Sequence, residues 1–344
     1  MPTRPRVLGI KAVARRAGVS VGTVSNVLNR PDSVSESLRQ VVQRAIDELG
    51  YVPNDVARQL KAGVSRTVGL VVLDTQNPFY GSLALAAEEA AEAIGLGLFV
   101  ANSRGRHAKE EFYLSQFEQQ RARGVLVTPG SADLARHRQV TGRGTRVVLV
   151  DSAERDAGFC SVSSDDFHGG WLATRHLVEL GRRTIAVIGG PEHYHQVRRR
   201  HDGALAAVER SGAALRYVQP ADMSILAGRA ATEALLEGPG PRPDAIFAMN
   251  DLLAAGALQA LVMERRWRVP DDIALVGYDD IDFCTNAVVP ITSVRQPSAD
   301  MGRHALALLE AEIADGEHHQ HRAVLLKPEL VVRESTEGRA GDVA

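Results

Sequence analysis

Two sets of residues in this chain have the types and spacing to do recognition chemistry. Near the N-terminus, Ser20, Val21, Gly22, Thr23, Ser25, Asn26 and Asn29 crowd into ten positions. On the exposed start of a helix, an asparagine amide can pair bidentately with adenine N6 and N7, and the hydroxyls of Thr23 and Ser25 suit phosphate oxygens. The second set is dispersed. Asp74, Asn77 and Phe79 follow the apolar run TVGLVVL, Asn250 and Asp251 close AIFAMND, Asp279 lies in GYDD, and Gln296 comes after a further short segment. Carboxylates and carboxamides at strand ends offer paired acceptors and donors, which is what the vicinal hydroxyls of a sugar require. Catalytic patterns are missing: no G-x-G-x-x-G follows the first apolar run, no P-loop occurs, and no nucleophile is arranged with a base. The sequence therefore predicts a binding protein, with no enzyme activity and no cofactor.

Helices must carry the first set. Ile10, Val13, Ala14 and Ala17 share one face of a helix over 10–17, and Gly18 can end it in the left-handed conformation. Ser20 can N-cap a second helix, VGTVSNVLN, with Val24, Val27 and Leu28 on its buried stripe. Helix, short glycine-containing turn, helix is the helix-turn-helix layout, whose second helix enters the major groove. A third helix is predicted over 35–49, with Leu38, Val41, Val42, Ala45, Ile46 and Leu49 inward and Gly50 as its stop. A plain three-helix bundle without DNA would show the same periodicity. Farther on, Asn54 is a good N-cap, and Val56, Ala57 and Leu60 form a narrow apolar face flanked by Arg58 and Lys61. A helix of about nine residues is too short to be stable alone in water, so its folding can be made contingent on a partner.

The second set needs strands. Apolar runs typical of buried parallel strands recur at 67–73, 96–102, 124–128, 146–151, 159–164, 184–190, 245–250 and 273–280. Amphipathic helices are predicted between them at 81–94, 108–121, 167–180, 198–211, 228–237 and 251–264. Strand–helix alternation with short loops means α/β with parallel sheets, and a change near 160–167 divides the body into two lobes. Open α/β sheets place ligands at the carboxyl ends of their strands, which are the positions of the second set.

The charge distribution agrees with this division of labour. Residues 1–62 carry ten Lys/Arg against five Asp/Glu, a net +5, so the remainder of a chain of total charge −2 carries −7. A basic head on an acidic body fits a polyanion-binding module joined to a module that does not bind polyanions. No apolar stretch approaches 18 residues and no apolar h-region follows Met1–Arg6, so a cytoplasmic protein without a membrane span is expected. Cys160 and Cys284 match no metal-ligand spacing and read as reduced thiols. His193, His195 and His201, and likewise His318, His319 and His321, match no zinc signature and read as solvated loop histidines, so no metal is expected.

AGVSVGTVSNVLN, YVPNDVARQL and TVGLVV…NPFY together make the chain resemble the lac-repressor-type (LacI/GalR) family of transcriptional regulators, without a break through the head and on to about residue 335. The resemblance implies a helix-turn-helix domain at 1–53, a hinge helix and linker at 54–65, and a two-lobed periplasmic-binding-protein-like domain at 66–344. It implies an N-lobe of about 66–163 and 293–323 and a C-lobe of about 164–291 and 324–335, with an effector in the cleft between them. The hinge helix over 54–62 would fold on operator DNA, with Leu60 wedged into the central base step and recovering the unstacking energy through a bent duplex. An ordinary core leucine is the alternative for Leu60. Positions matching Arg200 (in R-x-x-G, Arg200 to Gly203), Asn250 and Asp279 would bond the effector, the alternative being an interlobe Arg200–Asp279 ion pair. Met223 stands where several members carry a stacking aromatic, which favours a sugar or sugar derivative over a flat ring. Asn26 replaces a frequent Arg or His and Ala12 a frequent acid, so the operator sequence is not implied. The expectation is an effector-responsive repressor that binds a pseudo-palindromic operator as a homodimer. A solute-binding transport protein would lack the head, and a regulator answering to a phosphorylated carrier protein would share every feature above.

Overall fold

The structure is a computed structural model describing residues 9–51, 65–152, 158–263 and 267–337. The chain folds as two compact units, Met1–Val64 and Ser65–Ala344. In the first, α1 (Ile10–Ala17) ends at Gly18 with φ 67°, and α2 (Val21–Asn29) begins at Ser20, whose hydroxyl accepts the Thr23 backbone N–H at 3.0 Å. The third helix, α3 (Glu36–Leu49), ends at Gly50 in the left-handed conformation, where the Tyr51 N–H returns to the Ile46 carbonyl. Val13, Ala14, Val24, Val27, Val42, Ala45, Ile46 and Tyr51 close a small core between the three helices. Of these only Tyr51 lies outside the predicted apolar faces.

The second unit holds two six-stranded sheets. Its elements in chain order are β1 (Thr67–Val72), α4 (Pro78–Glu92), β2 (Gly97–Asn102), α5 (His107–Gln119), β3 (Gly124–Val127), α6 (Ala135–Gly142), β4 (Arg146–Val150) and β5 (Cys160–Ser164). Then come α7 (Asp166–Glu179), β6 (Thr184–Ile188), α8 (His195–Val208), β7 (Ala214–Val218), α9 (Ile225–Glu237), β8 (Ala245–Ala248), α10 (Asp251–Met263) and β9 (Ala274–Asp279). The last elements are α11 (Phe283–Asn286), β10 (Thr292–Arg295), α12 (Ser298–Asp315), β11 (Ala323–Leu326), β12 (Glu329–Val331) and α13 (Glu334–Glu337). The first sheet runs β11-β5-β4-β3-β1-β2 and is parallel throughout. The second runs β12-β10-β9-β8-β6-β7, with β12 alone antiparallel. In each sheet the order reverses beside its first strand, between β1 and β3 and between β6 and β8, which creates the crevice where open α/β sheets bind ligands.

The chain passes between the sheets after β5, after β10 and after β11. The strand pairing moves two of the expected lobe boundaries a few residues toward the C-terminus: β10, to Arg295, pairs with β9 in the second sheet, and β11, to Leu326, pairs with β5 in the first. α12 packs against α4 and strands of the first sheet, filling the first-lobe core with Met301, Ala305, Leu306 and Leu309. No described helix is long and apolar enough to cross a membrane.

Candidate functional site

In the head, the first turn of α2 presents Val21 and Gly22 to solvent, and Asn26 is exposed one turn on. Thr23 and Ser25 are half-buried. Ser25 is engaged by its neighbour, since the Asn29 amide donates to the Ser25 carbonyl at 2.7 Å and to its hydroxyl at 3.2 Å. Of the expected DNA-contacting set, therefore, Asn29 is turned back onto its own helix. Asn54, Ala57, Arg58, Leu60 and Lys61 lie outside the described residues.

In the two-lobed unit a buried polar cluster forms where strand ends converge. Asp279, the last residue of β9, accepts the Asn77 amide from the first lobe at 2.7 Å and the Gln296 amide from the segment after β10 at 2.7 Å. All three side chains are buried. Asp279 has φ 108° and Asp151, just past β4, has φ 55°. Non-glycine residues held in such backbone cost roughly 1–3 kcal/mol each and cluster at ligand sites.

Arg200 sits beneath this link. Its Nε donates to Asp166 Oδ1 at 2.8 Å, Nη1 donates to the Met249 carbonyl at 2.6 Å, and the guanidinium lies 3.7 Å from the Tyr278 ring centre. Asp279 is its more distant partner, at 4.0 Å. The expected alternative of an interlobe Arg200–Asp279 pair is thus corrected: both residues belong to the second lobe, and Asp166 is the direct partner. The R-x-x-G spacing has a packing reason. A Cβ on Gly203 would fall 2.0 Å from the Phe167 carbonyl oxygen, and one on Gly170 would fall 2.0 Å from that of Arg200. Only helices without those Cβ atoms can cross closely enough to set Arg200 against Asp166.

Three carboxylates share this one cation. Burial would lower the proton affinity of Arg200, but Asp166, Tyr278, Asp279 and Asp151 outweigh it and keep the guanidinium charged. Burial, and next the Asp166 charge, hold the Asp151 carboxyl well above the ordinary carboxylate range. Asp151 Oδ2 accepts the Tyr80 hydroxyl at 3.2 Å, while Oδ1 is buried without a hydrogen bond. Burial also raises Asp279, against the opposing effects of Arg200, Asn77 and Gln296. Gln296 Oε1 is a further buried acceptor without a partner. A ligand with hydroxyl donors would satisfy such atoms.

The side chains of the remaining expected residues are engaged elsewhere. Phe79 belongs to the first-lobe core, and Asp74 caps its own turn by accepting the Gln76 N–H at 3.1 Å. The Asn250 side chain is spent at both ends: Oδ1 accepts the Leu253 N–H at 2.8 Å and Nδ2 donates to the Met223 carbonyl at 3.1 Å. Met223 packs over Gly190 and joins both cores of the second lobe. Sequence reading missed Tyr80, Asp151, Asp166 and Tyr278. An acid at the end of an apolar strand (RVVLVD, and Asp166 just beyond FCSVSS) was the available signal for two of them. It also missed Tyr194, which packs on core residues of both lobes.

Asp251 is a separate buried acid beside β9 and β10. It accepts the Ser293 hydroxyl at 2.7 Å and the Ile281 N–H at 2.9 Å, and burial, with Asp279 next, pushes it up to about 7. An unfolded aspartate releases its proton near pH ~4. Between those values the folded state holds the extra proton, so this group's contribution is full below about pH 4 and is lost as pH rises through about 7. Asp251→Asn should flatten the pH dependence of the unfolding midpoint between pH ~4 and ~7. Midpoints measured at a series of pH values check this, and parallel curves for the two proteins would contradict it.

The comparisons with known proteins agree with the geometry. The pattern of the bacterial regulatory proteins of the lacI family matches residues 9–54, and the periplasmic binding protein-like domain matches 174–336. The ribose operon repressor of Escherichia coli K12 is 34% identical over 330 residues, covering 95% of this chain and 99% of the relative. The chain belongs to the LacI family. Similar solved structures of this family include the lac repressor dimer bound to operator and the anti-inducer ONPF, at 27% identity, TM-score 0.84 and coverage of 96% and 99%. The transcriptional regulator CelR–cellobiose complex is 34% identical with TM-score 0.70 and coverage of 96% and 100%. The LacI-family chain is therefore a DNA-binding transcriptional repressor with a ligand-responsive domain, in a family that is not enzymatic.

Proposed function

We propose that this LacI-family repressor binds a pseudo-palindromic operator as a homodimer and senses a sugar or sugar derivative between its two lobes, in the cytoplasm. The observation that carries the reading is the buried Asn77–Asp279–Gln296 link, in which one carboxylate holds an amide from the opposite lobe. A ligand whose hydroxyls take over those donors and acceptors would change how the lobes are held, and so bias one of two states of the molecule. Arg200 and Asp279 are the effector-binding charges in this reading, and Asn77 and Gln296 the amides that accompany them. The ribose operon repressor and the cellobiose-bound regulator support a sugar.

The homodimer is supported by apolar side chains exposed on each lobe. Leu85, Phe99 and Val100 stand on α4 and the edge strand β2 of the first, and Leu226 and Met263 on α9 and α10 of the second. The lac repressor on its operator is itself a dimer. Residues 54–65 serve as hinge helix and linker, and 1–53 as the reading head. Ligand and DNA then report one equilibrium and must be coupled reciprocally.

The test is selection of bound sequences from random duplexes by the purified full chain, repeated with a panel of sugars and nucleosides. A pseudo-palindrome whose binding is altered by a sugar is the expected result. A palindrome that no compound affects would overturn the sugar reading and point to a protein co-effector, and no enriched sequence would overturn operator reading. Leu60→Ala should weaken binding to the selected operator by a factor of ~10 or more, with effector affinity unchanged, because the wedge contributes the unstacking and bending step. Equal operator affinity in a titration would remove Leu60 from that role.

A further inference from the structure

A second cluster, which shares no residue with the effector site, joins four side chains from three elements of the first lobe. Cys160 opens β5, Glu312 lies in the last turn of α12, and His319 and His321 lie in the connection from α12 to β11. One donor atom from each, the thiol sulfur, a carboxylate oxygen and two imidazole nitrogens, all lie within 4.8 Å of one another. The expectation of solvated loop histidines fails at His319, whose side chain is only 3% exposed.

The orientation of the groups is that of ligands. His319 Nδ1 faces Asp315 Oδ2 at 2.9 Å, which turns Nε2 toward Cys160 Sγ at 3.1 Å. A carboxylate on the far ring nitrogen fixes tautomer and ring direction, as it does for metal-bound histidines generally. Glu312 is 1% exposed, and both of its oxygens lack a hydrogen-bond partner. Its nearest basic groups are Arg146 at 3.8 Å and the His321 ring at 4.0 Å, neither within hydrogen-bonding distance. A buried carboxylate left in this way costs more than most hydrogen-bonding groups, so it asks for a charged partner. The connection is also pinned beside the sulfur. The Ser161 N–H donates to the Arg322 carbonyl at 2.9 Å, and Ala323 pairs with Ser161 across β5 and β11.

We propose that Cys160, Glu312, His319 and His321 bind one borderline-soft divalent transition-metal ion of the zinc type. One sulfur, one oxygen and two nitrogens form a four-coordinate set that suits zinc, and hard cations such as magnesium or calcium prefer oxygen alone. Tetrahedral bonds to such ligands place the donor atoms about 3.3–3.8 Å apart. The 3.1 Å Cys160–His319 and 4.0 Å Glu312–His321 separations reach that range with shifts of a few tenths of an ångström. Binding releases the thiol proton to solvent, and the thiolate and the Glu312 carboxylate together balance the dication. The site ties α12 to β5 and β11, whereas Asn77 and Asp279 lie at the opposite, carboxyl-terminal ends of the strands.

Full-length protein stripped with a chelator and titrated with Co2+ tests this directly. The expected result is one equivalent bound per chain, with the visible bands of tetrahedral cobalt and a thiolate-to-cobalt charge-transfer band, both displaced by Zn2+. Cys160→Ser should abolish the charge-transfer band. Asp315→Asn should weaken binding by a factor of ~10–100 through the misoriented His319. His321→Ala, at a side chain 38% exposed that does not threaten folding, should weaken it by at least ~10-fold. The proposal is overturned by the absence of stoichiometric binding in the wild-type protein. It is equally overturned by cobalt that binds without a charge-transfer band and with equal affinity in the His321→Ala protein, which would place the ion on other surface histidines.

Discussion

Arg200→Met is expected to lose about 3–5 kcal/mol of folding stability, the usual consequence of removing one partner from a buried ion pair. The size follows from the imbalance around it. Asp166, Asp279 and Asp151 share this one guanidinium, and the Asp166 bond of 2.8 Å is made entirely inside the protein. Methionine keeps much of the apolar volume over Tyr278 but gives up the charge and the bond to the Met249 carbonyl. Without the cation, Asp151 and Asp279, already raised by burial, rise further, so the loss should grow as pH increases. Arg200→Lys should recover only part of it, because an ammonium cannot reproduce the planar stack and the two directed bonds together. Denaturant unfolding midpoints at two pH values decide the matter. A midpoint within 0.5 kcal/mol of wild type on conversion would show that the three acids are neutralised by protonation and that the arginine is dispensable to the fold.

What could be read in advance depended on how far apart in the chain the interacting groups lie. The head is built from local signals, the Ser20 cap, the Gly18 and Gly50 stops and the apolar stripes, and those are the features that fold it. Strands β1, β3, β4, β6, β8 and β9 announce themselves because a strand buried on both faces is a continuous apolar run. β7 does not, because it is an edge strand whose ALRYV sequence is only partly buried. The short strands β10, β11 and β12 lack enough length to show a period, and that is why the lobe boundaries were displaced.

The site divides in the same way. Acids and amides at strand ends are visible as types, but Asn77 meets Asp279 across 202 positions and Arg200 meets Asp166 across 34. No spacing rule selects those pairs. Arg200 invited pairing with Asp279 because both matched one family pattern, while the close crossing of α7 and α8 at Gly170 and Gly203 gives it to Asp166. The Cys160 cluster was invisible for the same reason. Local zinc signatures register ligands a few residues apart, and here the sulfur and the first imidazole are 159 positions apart.

Asp279→Ala should have the opposite signature from Arg200→Met. Effector affinity is expected to fall by about 100-fold or more, because two bonds to a charged acceptor at about 1.5–3 kcal/mol each are removed from the reading in which the ligand uses them. Folding stability should change little. The substitution strands the Asn77 and Gln296 amides, a cost, but it also removes a carboxylate whose proton affinity burial has raised, and the two effects oppose each other. Asn77 keeps its second bond, the 3.0 Å contact from the Phe79 N–H that caps α4, so the first lobe retains its geometry. Operator affinity without effector should stay within about threefold of wild type if the ligand-free state does not depend on the link. If the link itself stabilises the DNA-binding state, operator affinity and effector response fall together. Titrating operator with and without effector separates these cases: loss of response alone assigns Asp279 to the ligand, and joint loss assigns it to the switch that joins the lobes.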